Sequence, residues 1–133
     1  MSSSVLARHH VQVSGRGTQP LLFAHGYGCD QQMWRFVAPA FEHSHRVILF
    51  DHVGAGRSDT SAWTPERYAT LHGYARDVVE ICEALDLRDV VFVGHSVSST
   101  IGMLAAIAAP ERFARLVHVG PSPCFENHPP DYV

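Results

Sequence analysis

The chain has 133 residues, 46% hydrophobic and 17% charged, and its formal net charge is −3 with the ten histidines counted as neutral. This length and apolar content predict one globular domain with a hydrophobic core. The charge balance gives no basic surface for nucleic acid, and no stretch reaches the roughly eighteen apolar residues of a membrane helix. Three widely spaced cysteines (Cys29, Cys82 and Cys124) and the absence of a signal-peptide pattern predict a cytoplasmic protein without membrane or nucleic-acid partners.

The first half of the chain predicts three strands and one interrupted helix. Apolar runs of strand length occupy residues 10–13, 20–24 and 46–50. Asp30 is placed to cap a helix whose apolar residues share one side, and Pro39 is expected to kink or restart that helix.

The second half continues the alternation of helices and strands. Helical spacing of apolar residues covers 71–85, a buried strand covers 90–93, and a further helix follows Ser96 and stops before Pro110. The last strand is predicted at 116–119. Strands separated by helices of this length predict an α/β fold, a mostly parallel sheet with helices on both faces. In such sheets ligands bind at the carboxyl ends of the strands.

The sequence GHSVS at residues 94–98 lies between a predicted strand and a predicted helix. Gly94 leaves room where strand and helix nearly touch, and Ser98 is small for the same reason. Ser96 is then exposed at the end of the sheet, which is the arrangement of a nucleophile elbow, although Ser98 departs from the usual GxSxG pattern. The alternative is a serine that only caps the helix.

A second loop, HGYG, follows the strand at 20–24. A loop at this position contributes one backbone N–H to an oxyanion hole, and the residue after the nucleophile contributes another. Tyr27 and Val97 are therefore the expected donors. His25, Gly26 and His95 are predicted to lie at the substrate-binding site, and the alternative for His25 is a ring that braces its loop.

Other polar residues are assigned structural roles. Asp51 is expected to brace the loop after its strand through backbone N–H groups rather than act as a catalytic acid. His43 and His45 form an HxH pair that we interpret as surface histidines, because a metal site would need further ligands. We therefore predict no metal and no cofactor.

These segments resemble the RsbQ-like branch of the α/β-hydrolase superfamily, which includes a bacterial energy-stress regulator and plant receptors for strigolactones and karrikins. The matching strings span residues 9–132 and are FAHGYGCDQQMW, VAPAFEHSHRVILFDHVGAGRSD, YATLHGYARDVVEICEALDL, VFVGHSVSSTIGMLA and LVHVGPSPCFENHPPDY. The resemblance implies Ser96 as nucleophile, Tyr27 and Val97 as oxyanion donors, and a pocket for a small apolar ester or lactone.

The resemblance also implies a signalling role. In RsbQ-like members the partner is a phosphatase with a PAS sensor domain, which acts upstream of the general-stress sigma factor. The plant receptors hydrolyse or sense a butenolide. The alternative is a general carboxylesterase or lactonase without a signalling role.

The resemblance further implies that residues 1–133 are the N-terminal part of a single α/β-hydrolase core domain. Members of this branch continue into a helical lid and two more strands, which carry the catalytic aspartate and histidine. Within this chain, the Ser…Asp…His order leaves only Glu111 or Glu126 with His118 or His128, and neither histidine matches the base of the family. We expect the chain alone to be inactive and the strand at 116–119 to be an exposed edge.

Overall fold

The computed structural model describes residues 2–122, and it describes side chains from residue 5 onwards. Within residues 2–122 the chain forms three α-helices and five strands. The helices are α1, α2 and α3 (Ser2–Arg8, Leu71–Ala84 and Val97–Ala108), and the strands are β1 to β5 (Gln12–Ser14, Pro20–Ala24, Arg46–Leu49, Val90–His95 and Phe113–Val119).

The five strands form one sheet in the order β1-β3-β2-β4-β5. β1 is antiparallel to β3, and every other neighbouring pair is parallel. The prediction of an α/β fold with a mostly parallel sheet is therefore confirmed. Because β2, β3 and β4 run in the same direction, the loops that follow them leave the sheet side by side at one edge.

The central strand β2 is buried along all five of its residues, as expected for a strand covered on both faces. One face of the sheet carries the larger apolar cluster, in which Leu22, Ile48 and Phe92 lie with residues of α2 and α3 (Val78, Ile81, Ile101 and Ala105). The other face carries a smaller cluster in which the rings of Phe23 and Trp34 have centroids 4.9 Å apart.

The segment after Asp30 differs from the predicted helix. It consists of two separate 3-10 turns, Gln31–Trp34 and Ala38–Phe41. The cap itself is present, because the Asp30 carboxylate accepts a hydrogen bond from the Gln32 N–H at 2.8 Å. Pro39 lies in the first turn of the second segment, where its missing N–H prevents a continuous α-helix.

Other elements also begin at residues that differ from the predicted ones. β1 begins at Gln12 rather than at residue 10, and β5 begins at Phe113 rather than at residue 116. The seven-residue helix α1 was not predicted, because so short a segment shows no period. None of the helices within residues 2–122 is long and apolar enough to cross a membrane.

The strand β5 lies at one edge of the sheet. It pairs with β4 on one side, and no strand of residues 2–122 pairs with its other side. Val117 and Val119 are 43% and 40% exposed. The prediction of an exposed edge at this strand is confirmed for the described part of the chain.

Candidate active site

Ser96 occupies the sharp turn between β4 and α3. Its backbone has φ +56° and ψ −119°, a conformation that residues other than glycine rarely adopt. The Ser96 N–H donates to the Val119 carbonyl at 2.8 Å, and the Ser96 carbonyl accepts from the Ser99 N–H at 2.9 Å. Its side chain makes no capping bond to α3, so the alternative of a simple cap finds no support in this geometry.

Gly94 permits the close approach of β4 and α3. A Cβ atom at this position would lie 2.5 Å from the Ser98 carbonyl oxygen and 2.9 Å from the Ser99 nitrogen. Both are backbone atoms, which cannot move aside without displacing the helix. The absent side chain therefore sets the spacing that lets the chain turn at Ser96.

The HGYG loop lies beside this turn. Ala24 of β2 is paired with Gly94 of β4, so the two loops begin next to each other. A Cβ atom on Gly26 would lie 2.4 Å from Nδ1 of His95, which brings two of the predicted substrate-binding residues into contact. That Nδ1 atom is buried and has no hydrogen-bond partner among the described residues.

The predicted oxyanion donors lie on these two loops. Val97 is the first residue of α3, and the first amides of a helix have no acceptor within the helix. Tyr27 is 95% exposed, and its N–H makes no hydrogen bond to any of residues 2–122. Both amides are thus free to donate to a bound group.

His25 is buried, and both of its ring nitrogens contact backbone groups. Nε2 accepts a hydrogen bond from the His52 N–H at 3.0 Å, and Nδ1 lies 2.9 Å from the Gly26 carbonyl oxygen. Because Nε2 is an acceptor, Nδ1 carries the proton and donates. The ring holds its own loop, which was the alternative for this residue.

Asp51 braces the loop after β3, as the sequence predicted. Its two carboxylate oxygens accept from the Gln31 N–H at 2.8 Å and the Arg57 N–H at 2.9 Å. A side chain at Gly56 would collide with this carboxylate, since its Cβ atom would lie 2.5 Å from Oδ2. Both carboxylate oxygens of Asp51 are therefore occupied by hydrogen bonds that hold these loops together.

His52 was not singled out from the sequence. It is buried, and its Nε2 lies 2.8 Å from the hydroxyl of Ser98, which donates to the His25 carbonyl oxygen at 2.6 Å. Burial, and then the nearby rings of His25 and His9, lower the pKa of His52 well below the ordinary value of 6.5. The ring is neutral and connects the loop after β3 to α3 and to the HGYG loop.

A family model described as the alpha/beta hydrolase fold matches residues 19–132. The chain belongs to the α/β-hydrolase family. Two curated relatives are similar to it. A strigolactone esterase from Pisum sativum is 41% identical over 99% of this chain, and a karrikin insensitive receptor from Petunia hybrida is 42% identical over 90% of it.

The solved structure of a hydrolase from Oleispira antarctica is 47% identical to this α/β-hydrolase chain and superposes with a TM-score of 0.91 over 99% of it. The chain covers 48% of that structure, and 49% and 44% of the two curated relatives. It therefore spans about half the length of the proteins it matches.

The acid and base candidates that follow Ser96 in the sequence do not lie at Ser96 in the structure. Glu111 lies in the 3-10 turn Pro110–Arg112 and is exposed, and His118 is an exposed residue of β5 that makes no hydrogen bond to Ser96. Glu126 and His128 lie outside the described residues.

The HxH pair gives no sign of a cation site. His43 is exposed, and Nδ1 of His45 lies 2.7 Å from the Ser44 hydroxyl. Within residues 2–122 no group of three or more His, Cys, Asp or Glu side chains is placed to hold a metal ion. Cys29 and Cys82 are free thiols.

Proposed function

We propose that the complete gene product is a serine hydrolase of a small apolar ester or lactone, with Ser96 as its nucleophile. The observation that supports this most strongly is the left-handed backbone of Ser96 at the junction of β4 and α3. A strained strand-to-helix turn with a serine at its tip is the nucleophile elbow of α/β-hydrolases. Strain of this kind is held by the surrounding packing and concentrates at functional sites.

The proposed reaction uses the two free amides. The Ser96 Oγ–H bond breaks as Oγ bonds to the substrate carbonyl carbon, and the carbonyl electron pair moves onto oxygen. The N–H groups of Tyr27 and Val97 then donate to that oxyanion. Collapse of the intermediate expels the alkoxide and leaves an acyl-enzyme, which water hydrolyses.

The proton of Ser96 requires a base. We propose that residues 1–133 form the N-terminal part of a single hydrolase core domain, and that the base and its carboxylate are supplied by later residues of the complete gene product. The lengths of the relatives support this, because the chain covers only 44% and 49% of them.

The ligand site is proposed to lie at the carboxyl ends of β2 and β4. Gly26 and His95 are in contact there, and we propose that they line the pocket together with the backbone at His25. A pocket of this kind suits a small, largely apolar carbonyl compound, which the two amides orient.

We further propose that the gene product acts in the cytoplasm as a sensor that regulates a stress-response partner, a phosphatase with a PAS domain. The relatives support a ligand-responsive role, since one is a strigolactone esterase and another a karrikin insensitive receptor. A general carboxylesterase or lactonase is the second candidate, and the similarity to a protein from Oleispira antarctica described only as a hydrolase supports it.

The enzymatic proposal is tested by p-nitrophenyl butyrate hydrolysis with the complete gene product and its Ser96→Ala variant. We expect the variant to lose at least about a thousandfold in kcat, because loss of a serine nucleophile removes covalent catalysis. Ser61→Ala is the matched control, since Ser61 is exposed in the 3-10 turn Thr60–Ala62. Equal rates for wild type and Ser96→Ala would overturn the proposal.

The signalling proposal is tested separately by calorimetric titration of the purified gene product with a PAS-domain phosphatase of the same organism. We expect binding that changes when the ester substrate is present. Ester hydrolysis without any such binding would favour the general esterase.

A further inference from the structure

We propose that His52 and Ser98 are positioning residues that aim the Tyr27 amide at the oxyanion. The inference rests on the proposed function and deepens it. It starts from a hydrogen-bonded network that joins three separate segments, the loop after β3, the first turn of α3 and the HGYG loop.

The positions of the protons in this network follow from which of its atoms can only accept hydrogen bonds. The His25 carbonyl can only accept, so the hydroxyl of Ser98 donates its one proton there, at 2.6 Å. The Ser98 oxygen must therefore accept from His52, whose Nε2 lies 2.8 Å away and carries the hydrogen. The ring of His52 is then in its Nε2–H form, and its Nδ1 is a buried atom without a partner among residues 2–122.

A second bond fixes the ring of His25. The backbone N–H of His52 donates to its Nε2 at 3.0 Å, so the hydrogen of that ring is on Nδ1 and donates to the Gly26 carbonyl oxygen at 2.9 Å. The same carbonyl oxygen also accepts from the Cys29 N–H at 3.2 Å. Two donors thus hold the plane of the peptide between Gly26 and Tyr27.

This plane determines where the Tyr27 amide points. In a trans peptide the C=O and N–H bonds lie in one plane and point in opposite directions. Since the Gly26 carbonyl is held by His25 and Cys29, the Tyr27 N–H is directed away from them. His52 and Ser98 hold both ends of His25, its ring and its carbonyl, and so set the direction of this donor without touching the substrate.

This hydrogen-bonded network is suited to its task because His52 and Ser98 are closely packed and uncharged. His52 and Ser98 are buried, and the rings of Phe50 and Tyr74 contact His52 edge-on, with centroids 4.9 and 5.7 Å away. Burial keeps the imidazole neutral at the pH of an assay. A preorganised donor needs no reorientation when charge develops.

The inference is tested with Ser98→Ala in the complete gene product and p-nitrophenyl butyrate. Removing a whole oxyanion donor lowers kcat by about 10²–10³, so we expect a misdirected donor to lower kcat about tenfold while KM stays within about twofold. Ser99→Ala is the matched control. Ser99 is equally buried on the adjacent position of α3, but its hydroxyl donates to the Gly94 carbonyl and does not reach the HGYG loop.

A trifluoromethyl ketone distinguishes positioning from loss of folded protein. This inhibitor forms a tetrahedral oxyanion adduct with the active serine, so its Ki should rise with Ser98→Ala by the factor lost in kcat/KM. His52→Phe, which keeps a ring against Phe50 and Tyr74, should show the same pattern. A variant that merely unfolds would lower kcat without changing the Ki of the molecules that remain active.

The outcomes separate the two proposals. If Ser96→Ala abolishes hydrolysis and Ser98→Ala resembles Ser99→Ala in kcat and Ki, the positioning role is overturned and the serine hydrolase stands. If Ser96→Ala retains full activity, the proposed function fails. Ring ¹⁵N chemical shifts provide a reading independent of activity, since an Nε2–H form of His25 would overturn the positioning role whatever the rates.

Discussion

Replacing Ser96 by glycine should make the folded protein more stable while removing its proposed nucleophile. The backbone at Ser96 has φ +56° and ψ −119°, where a Cβ atom crowds the adjacent backbone. Holding a residue other than glycine in such a conformation costs about 1–3 kcal/mol. Glycine adopts it without that cost.

The net magnitude follows from two opposing effects, and alanine is the reference because it also lacks the hydroxyl. A glycine gives the unfolded chain more freedom than an alanine does, which costs about 0.4–1 kcal/mol of stability. Subtracting this from a strain of about 2 kcal/mol leaves Ser96→Gly more stable than Ser96→Ala by about 1 kcal/mol.

Urea unfolding of the complete gene product measures this difference, with the fluorescence of buried Trp34 as a probe. The matched control uses the helical neighbour Ser99, where Ser99→Gly should be less stable than Ser99→Ala by about 1 kcal/mol because glycine disfavours a helix. Relative to alanine, glycine should thus stabilise the protein at position 96 and destabilise it at position 99. A glycine at position 96 that is less stable than alanine would refute the claim of strain at this turn.

Two further predictions concern packing and pH. Gly94→Ala should lower the free energy of unfolding by about 1–3 kcal/mol, because its Cβ atom would lie 2.5 Å from the Ser98 carbonyl oxygen; an unchanged urea midpoint would contradict this contact. His9 and His52 have lowered pKa values, chiefly through burial, so the unfolded chain binds more protons than the folded one below about pH 6.5. The contribution of these histidines to the free energy of unfolding should therefore be level above that pH and fall by up to about 1.4 kcal/mol per pH unit for each histidine as the pH drops further. Urea midpoints at pH 7.5 and 5.5 measure this fall. His52→Phe should make the free energy of unfolding depend less steeply on pH.

Much of the fold follows from local patterns in the sequence. The strand Pro20–Ala24 and the start of α2 at Leu71 agree with their predicted positions, because a continuous apolar run and a helical stripe each reflect the burial of a single element. The turn at Ser96 was also predictable, since Gly94, Ser96 and the small residues after them are adjacent in the sequence.

The remaining features depend on distant partners or on competing local effects. The bond between His52 and Ser98 joins residues 46 positions apart, and nothing in the sequence distinguishes His52 among ten histidines. The apolar residues after Asp30 have helical spacing, but Pro39 divides the segment into two 3-10 turns. The helix α1 has only seven residues, too few to show a period.

The central place of β2 in the sheet has a consequence for synthesis on the ribosome. A nascent chain presents β2 and β3 before β4, so until residue 95 has left the ribosome the fully buried strand Pro20–Ala24 has an unpaired edge. An apolar edge of this kind is a site of misassociation during translation. The sheet can therefore be completed only after β4 has been synthesised. The strand that ends beside the proposed nucleophile is thus also the strand that covers the exposed edge of β2.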